Sequence, residues 1–237
     1  MKEPMNNVYL NRTKNAQAIS NLKDRISKET FFDFDIVLEN ENVRLKPLTV
    51  TDRDQLSKFA LDQDIWAYFA LKMTDVRSVT NYIEDALLQR ESRLRYTFLI
   101  EDPSTSTLLG STAFGNFSKN DSRIEFGWSW LGKQFQGTGI NSQVKFLLLS
   151  FAFDILNLER VEAKTDVLNI RARKALTKIG MVEEGILRSH TLMPDGRRRD
   201  TIYYSMLRNE WPLIAEKIFK DFVFRCSASK HSFRDCR

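Results

Sequence analysis

The chain has 237 residues, 42% of them hydrophobic and 17 of them Phe, which is material for one large folded domain and excludes a disordered or low-complexity polymer. Its formal charge of +5, from 36 Lys+Arg against 31 Asp+Glu, is spread along the chain and leaves Arg197-Arg198-Arg199 as the one tight basic run, so no direct nucleic-acid binding is expected. No stretch approaches the roughly 20 apolar residues of a membrane span, and no leader pattern opens the chain, so a cytoplasmic protein without membrane contact is expected.

Residues 1–38 are read as an N-terminal extension: a polar arm to about residue 30, then Phe31-Phe32-Asp33-Phe34, which packs on the body. The main domain is placed at 39–224. Residues 43–48 alternate with period 2 and stop at Pro47, as a first strand does. A helix follows from Thr51 and Asp52, and a second over 76–90 with Val79, Ile83, Ala86 and Leu87 at helical spacing. Residues 96–100, 108–117 and 124–131 read as three antiparallel strands. Gly137 and Gly139 then introduce a long apolar helix to about Leu156. A strand over 160–166, a helix over 170–179, a hairpin around Pro194-Asp195-Gly196 and a last helix after Asn209 complete the domain. Residues 225–237 are taken as a loose tail. The expected fold is α/β (α+β), a single domain with a mixed, mostly antiparallel central sheet of about seven strands and helices on both faces.

The segment Gln134-Phe135-Gln136-Gly137-Thr138-Gly139 lies between a strand and a helix. Main-chain N–H groups at such a junction lack intrahelical partners, and with the helix dipole they attract an anion such as a pyrophosphate. Glycines let the main chain come close to that anion. No Lys-Ser/Thr follows, so the loop is not a Walker loop. The third glycine of the dinucleotide-binding turn is missing as well.

This hexapeptide resembles the acetyl-CoA motif of the GNAT acetyltransferase superfamily. Asn169-Ile170-Arg171-Ala172 with Leu176 and Gly180-Met181 is similar to that superfamily's second element. Residues 195–201, Tyr204-Ser205 and Glu210-Trp211-Pro212 resemble the branch that contains the ribosomal-protein N-terminal acetyltransferases. The resemblance spans about residues 40–215. It implies a splayed pair of parallel strands ending at Leu131 and Asp166, with acetyl-CoA as co-substrate and no metal. It places the CoA pyrophosphate on the turn and helix start, at Gln134, Gln136, Gly137, Thr138, Gly139, Ile140 and Asn141. The pantetheine amides would pair with the edge at Trp130 and Leu131, beside Asn169. Lys174 and Lys178 would serve the ribose phosphate, with Arg173 a further option. A homodimer is also implied.

Two departures stand out: the family's frequent Tyr is Leu176 here, and the branch's Ser is Ala172. Tyr204 is therefore named as the candidate proton donor to the leaving thiolate, with water or unaided departure as alternatives. Glu125 is the candidate general base for an amine acceptor, either a protein N-terminus or a small molecule. Asp166, Asp200 and His190 are weaker candidates for the same work, and Asp200 is also placed at the acceptor. Trp66 and Trp128 are named as acceptor-pocket residues. Cys226 and Cys236 have no CxxC spacing and only His190 and His231 to join them, so no zinc site is expected; a disulfide between them is open on spacing alone, with no sign of a secreted scaffold. Besides an N-acetyltransferase, a catalytically silent acyl-CoA-binding module and a ribosome- or RNA-associated binding protein remain as readings.

Overall fold

The computed structural model describes residues 8–10 and 23–231. In chain order the elements are β1 (Val8–Leu10), β2 (Phe34–Glu39), β3 (Arg44–Pro47), α1 (Arg53–Ala60), α2 (Val76–Glu91), β4 (Arg95–Glu101), β5 (Leu108–Ser118) and β6 (Arg123–Leu131). After these come α3 (Ile140–Ser150), β7 (Arg160–Asp166), α4 (Ile170–Lys178), β8 (Val182–Leu192), β9 (Arg198–Leu207), α5 (Trp211–Phe219) and β10 (Phe224–Lys230). All ten strands join one sheet, ordered β1-β10-β2-β3-β4-β5-β6-β7-β9-β8. Every neighbouring pair is antiparallel except β6 and β7.

Each face of the sheet carries its own core. On one side Leu147, Leu148, Phe151, Leu176, Ile179, Trp211 and Phe219 of the later helices pack on Ile124, Phe126, Val161, Ile202, Tyr204 and Met206. On the other, Leu56, Ala60, Val79, Ile83 and Ala86 of α1 and α2 cover Leu99, Leu108 and Trp130. β4 is buried along its whole length because helices or loops cover it on both faces. The long apolar run after Gly139 is helical as read, closing in a π-helical turn over Phe151–Ile155. Among the described residues no helix is long and apolar enough to cross a membrane.

The expected outer boundaries need correction. The seven strands read from the sequence are all present, and three more extend the sheet at its first edge. β10, placed in the expected loose tail, pairs with β2 from Arg225–Glu39 to Lys230–Phe34, and β1 pairs with β10 in turn. Its apolar positions, Phe224, Cys226 and Ala228, alternate as a half-buried strand requires, but two are small and gave a weak signal. From Ile26 on, the N-terminal extension is part of the body, as expected for Phe31–Phe34, because Ile26, Phe31, Phe32, Phe34, Ile36 and Leu38 are core residues. Two buried polar side chains fix it there. The Tyr96 hydroxyl donates to the Phe34 carbonyl at 2.8 Å and accepts from the Ile36 amide at 2.9 Å, while Arg90 donates to the same Phe34 carbonyl and pairs with Asp35. Cys226 is a free, buried thiol, held protonated by burial. Cys236 lies outside the described residues, as does most of the polar arm.

Candidate active site

β6 and β7 run side by side only briefly. Their parallel register holds for Arg123–Arg160, Ile124–Val161 and Glu125–Glu162, yet β6 continues to Leu131 and β7 to Asp166. The cause lies on the far side of β6. There Ser111 of β5 faces Trp130 and Ala113 faces Gly127, so Trp128 and Ser129 together stand opposite the single Thr112. This bulge places Trp128 at φ +51° and bends the strand. From Phe126 to Leu131 the β7-facing edge of β6 therefore has no strand partner.

That open edge leads into the glycine turn. Gly137 and Gly139 have φ of +79° and +91°, values that L-residues rarely adopt, and an added Cβ at either would point into open space. Gly139 is the N-cap of α3 and supplies no side-chain cap. The N–H groups of Gly137, Thr138 and Gly139 have no acceptor among the described residues. Side chains hold the turn from behind: Gln136 Nε2 donates to the Leu131 carbonyl at 3.0 Å and Thr138 Oγ1 to the Phe135 carbonyl at 2.7 Å. Gln136 Oε1 accepts from Arg171 at the start of α4, a link between turn and helix that the sequence reading did not select. Gln134 is exposed on the turn, and Ile140 and Asn141 are half-buried in the first turn of α3. Asn169 is the N-cap of α4, its Oδ1 accepting from the Ala172 amide at 3.0 Å. Lys174 and Lys178 are exposed on α4, one turn apart.

Where the two strands part, one sheet face gathers charge. Glu125 is buried, accepting from Lys164 at 2.9 Å and from Asn116 at 2.8 Å. Asn116 reaches it through a second bulge, in β5, where its own φ is +50°. Lys164 lies 5.7 Å from the centre of the Tyr203 ring, and Arg199 stands on the same face, donating to the Tyr68 carbonyl of the loop after α1. Burial lowers the Arg199 pKa from its ordinary value, opposed by Asp166 and Glu125. Trp128 lies across Gly115, where a Cβ would meet its ring at 2.5 Å, and the Arg95 guanidinium is 5.6 Å from that ring. Glu125 and Trp128 are thus brought together, and Lys164, Asn116 and Arg199 join them. These three lie apart in sequence from the glycine motif and carried no pattern of their own.

Other expected site residues go elsewhere. Tyr204 pairs with Ala163, and Glu125 with Glu162, so alternation puts the two on opposite faces. The Tyr204 hydroxyl donates to Glu183 at 3.1 Å and accepts from Arg173, beneath α4. Trp66 is 1% exposed, its indole N–H donating to the Ala60 carbonyl at 2.7 Å and its ring 5.6 Å from that of Trp130. It packs in the core instead of presenting a face to an acceptor. Asp200 is exposed on the hairpin and accepts from the Ser189 amide. Asp166 is fully buried, pairs with Arg197 and accepts from the Leu168 amide, which shapes the chain into α4. His190 Nδ1 meets Thr201 Oγ1 at 3.1 Å on the exposed edge strand.

A family model described as an acetyltransferase (GNAT) domain matches residues 42–182. "Uncharacterized N-acetyltransferase p20" of Bacillus licheniformis is 28% identical over 178 residues, covering 73% of this chain and 97% of its own. "Putative ribosomal N-acetyltransferase YdaF" of Bacillus subtilis (strain 168) is also 28% identical, over 73% of this chain and 94% of its own. Among solved structures, a GCN5-related N-acetyltransferase from Brucella melitensis shares the fold with a TM-score of 0.71 and 24% identity, covering 78% of this chain and 84% of its own.

Proposed function

The chain belongs to the GNAT acetyltransferase family, and on that premise we propose that it transfers an acetyl group from acetyl-CoA to a primary amine by direct attack in a ternary complex. The observation that carries this reading is the ladder that stops at Glu125–Glu162 and leaves the edge of β6 open as far as the glycine turn. The residues present fit the co-substrate. The main chain around Gly137–Gly139 is open toward a ligand and offers unpaired N–H groups to the pyrophosphate. The β6 edge through Trp130 and Leu131 offers main-chain partners to the pantetheine amides, as in strand addition. Lys174 and Lys178 are free to meet the ribose phosphate.

On the acceptor side, Glu125 takes the proton released by the attacking amine, and Lys164 and Asn116 hold its carboxylate in place. An α-amine of pKa about 7.8 needs only about 1 kcal/mol to be deprotonated at pH 7, against roughly 4.6 kcal/mol for a lysine. One carboxylate suffices for the first. The Bacillus subtilis relative is named a putative ribosomal N-acetyltransferase, which is in keeping with a protein acceptor, and the lower cost of deprotonation makes a protein N-terminus the acceptor class to try first. The test is thiol release from acetyl-CoA with peptides that differ only in a free or blocked N-terminus. Turnover with the free α-amine alone is the expected result. CoA binding without turnover on any amine would contradict the reading and favour a silent acyl-CoA-binding module.

A further inference from the structure

Lys145 is 4% exposed, set in α3 on the face of the sheet away from Glu125. Its ammonium lies 4.3 Å from the centre of the Phe126 ring and donates to Ser129 Oγ at 2.6 Å. No carboxylate among the described residues is within ion-pairing distance of it. A buried lysine with one hydroxyl partner and no counter-charge is a costly arrangement. Ser129 is one of the two bulge residues, half-buried on the open stretch of β6, and it also meets Thr112 Oγ1 at 2.7 Å and the Gly127 carbonyl at 3.1 Å. The lysine is thus joined by a single hydrogen bond to the strand edge along which the pantetheine arm would lie. The side of the sheet it occupies is also the side on which Leu176 and Ala172 offer no proton donor.

We propose that Lys145, acting through the Ser129 hydroxyl, supplies the proton that the departing CoA thiolate takes up. This rests on the acetyltransferase reading above. The amine nitrogen attacks the thioester carbonyl carbon, the C–S bond breaks, and the sulfur leaves with the electron pair. The Ser129 Oγ–H proton passes to the sulfur, and a Lys145 Nζ–H proton replaces it on Oγ. The acceptor nitrogen loses its proton to Glu125 on the opposite face, and Lys145 is recharged from solvent once CoA departs. Burial alone, with no facing charge from β6 or from α3 itself, brings the lysine down to about 7. A donor so poised gives up its proton readily to a thiolate whose conjugate acid ionises at about 8.5. Lys145 is a positioning and relay residue in this scheme, and Ser129 the group at the sulfur.

The test titrates the thiol of bound CoA by its ultraviolet absorbance, in the wild type, Lys145→Met and Ser129→Ala. In the wild type the bound thiol is expected to ionise at least tenfold more readily than free CoA. That shift should be lost in both variants while CoA still binds. Equal ionisation in wild type and Lys145→Met, with CoA bound to both, overturns the proposal. Should Lys145→Met fail to fold, side-chain NMR of wild-type lysines decides the matter. Lys145 must titrate at higher pH with CoA bound than with desulfo-CoA, and identical midpoints overturn the proposal. Failure of the wild type to bind CoA at all is a different result, and it takes the acetyltransferase reading down as well.

Discussion

Glu125 and Lys145 are both buried side chains at the parting of β6 and β7, and each makes a distinct prediction. Glu125→Gln keeps the shape and the contact to Lys164 but removes the base. Turnover per bound substrate should fall about 10²-fold or more, with acetyl-CoA affinity unchanged, as read by steady-state kinetics and calorimetry. Lys145 makes a prediction about stability. Its pKa in the folded protein, about 7, lies below the ordinary value of 10.5. Between those values the unfolded chain holds a proton that the folded chain has released. Stability due to this residue therefore rises with pH through that window, by up to roughly 1.4 kcal/mol per pH unit, and falls to its lowest below pH 7. Lys145→Met should accordingly be more stable than the wild type at pH 7, with the difference closing toward pH 10 in urea titrations. Neither partner set was legible in the sequence. Glu125 was legible as a carboxylate on the strand before the glycine turn, but Lys145 is a lone charge within the long apolar helix, and the sequence reading selected neither it nor the helix face it lies on. Only tertiary packing turned that face inward. The sheet face of Tyr204 was not legible either, because it is set only by the register with β7.

At the scale of elements, the glycine turn and α3 were legible because their determinants are local: two glycines, an uncapped helix start and an apolar run. Gly139→Val should therefore strain the turn at φ +91° and cost CoA affinity before it costs the fold. β10 was not legible, since its pairing partner β2 lies almost 190 residues earlier and its inward residues are small. Removing residues 223–237 strips β2 of that neighbour and takes the buried Phe224 and Cys226 side chains with it. A loss of about 3 kcal/mol or more is expected from the urea midpoint, where a loose tail would leave stability unchanged. Tyr96→Phe should likewise cost about 1–3 kcal/mol, because the buried Ile36 amide and Phe34 carbonyl both lose a partner.

Over the whole molecule, the order of strands and helices carried the fold class, and the sheet confirms it with three strands added at one edge. The two faces divide the proposed chemistry. The α1–α2 face presents Glu125, Lys164 and Trp128 to an amine, and the α3–α4 face holds Lys145 behind the open edge, with the glycine turn at its end. All of this depends on acetyl-CoA occupying the gap between β6 and β7. The direct test is the thermal midpoint of the purified chain with and without acetyl-CoA at about 100 times its dissociation constant, for the wild type and Gly137→Glu. The wild type should rise by about 5–10 °C, and Gly137→Glu, which sets a carboxylate where the pyrophosphate belongs, should show little or no rise. An unchanged wild-type midpoint at saturating acetyl-CoA would contradict the account.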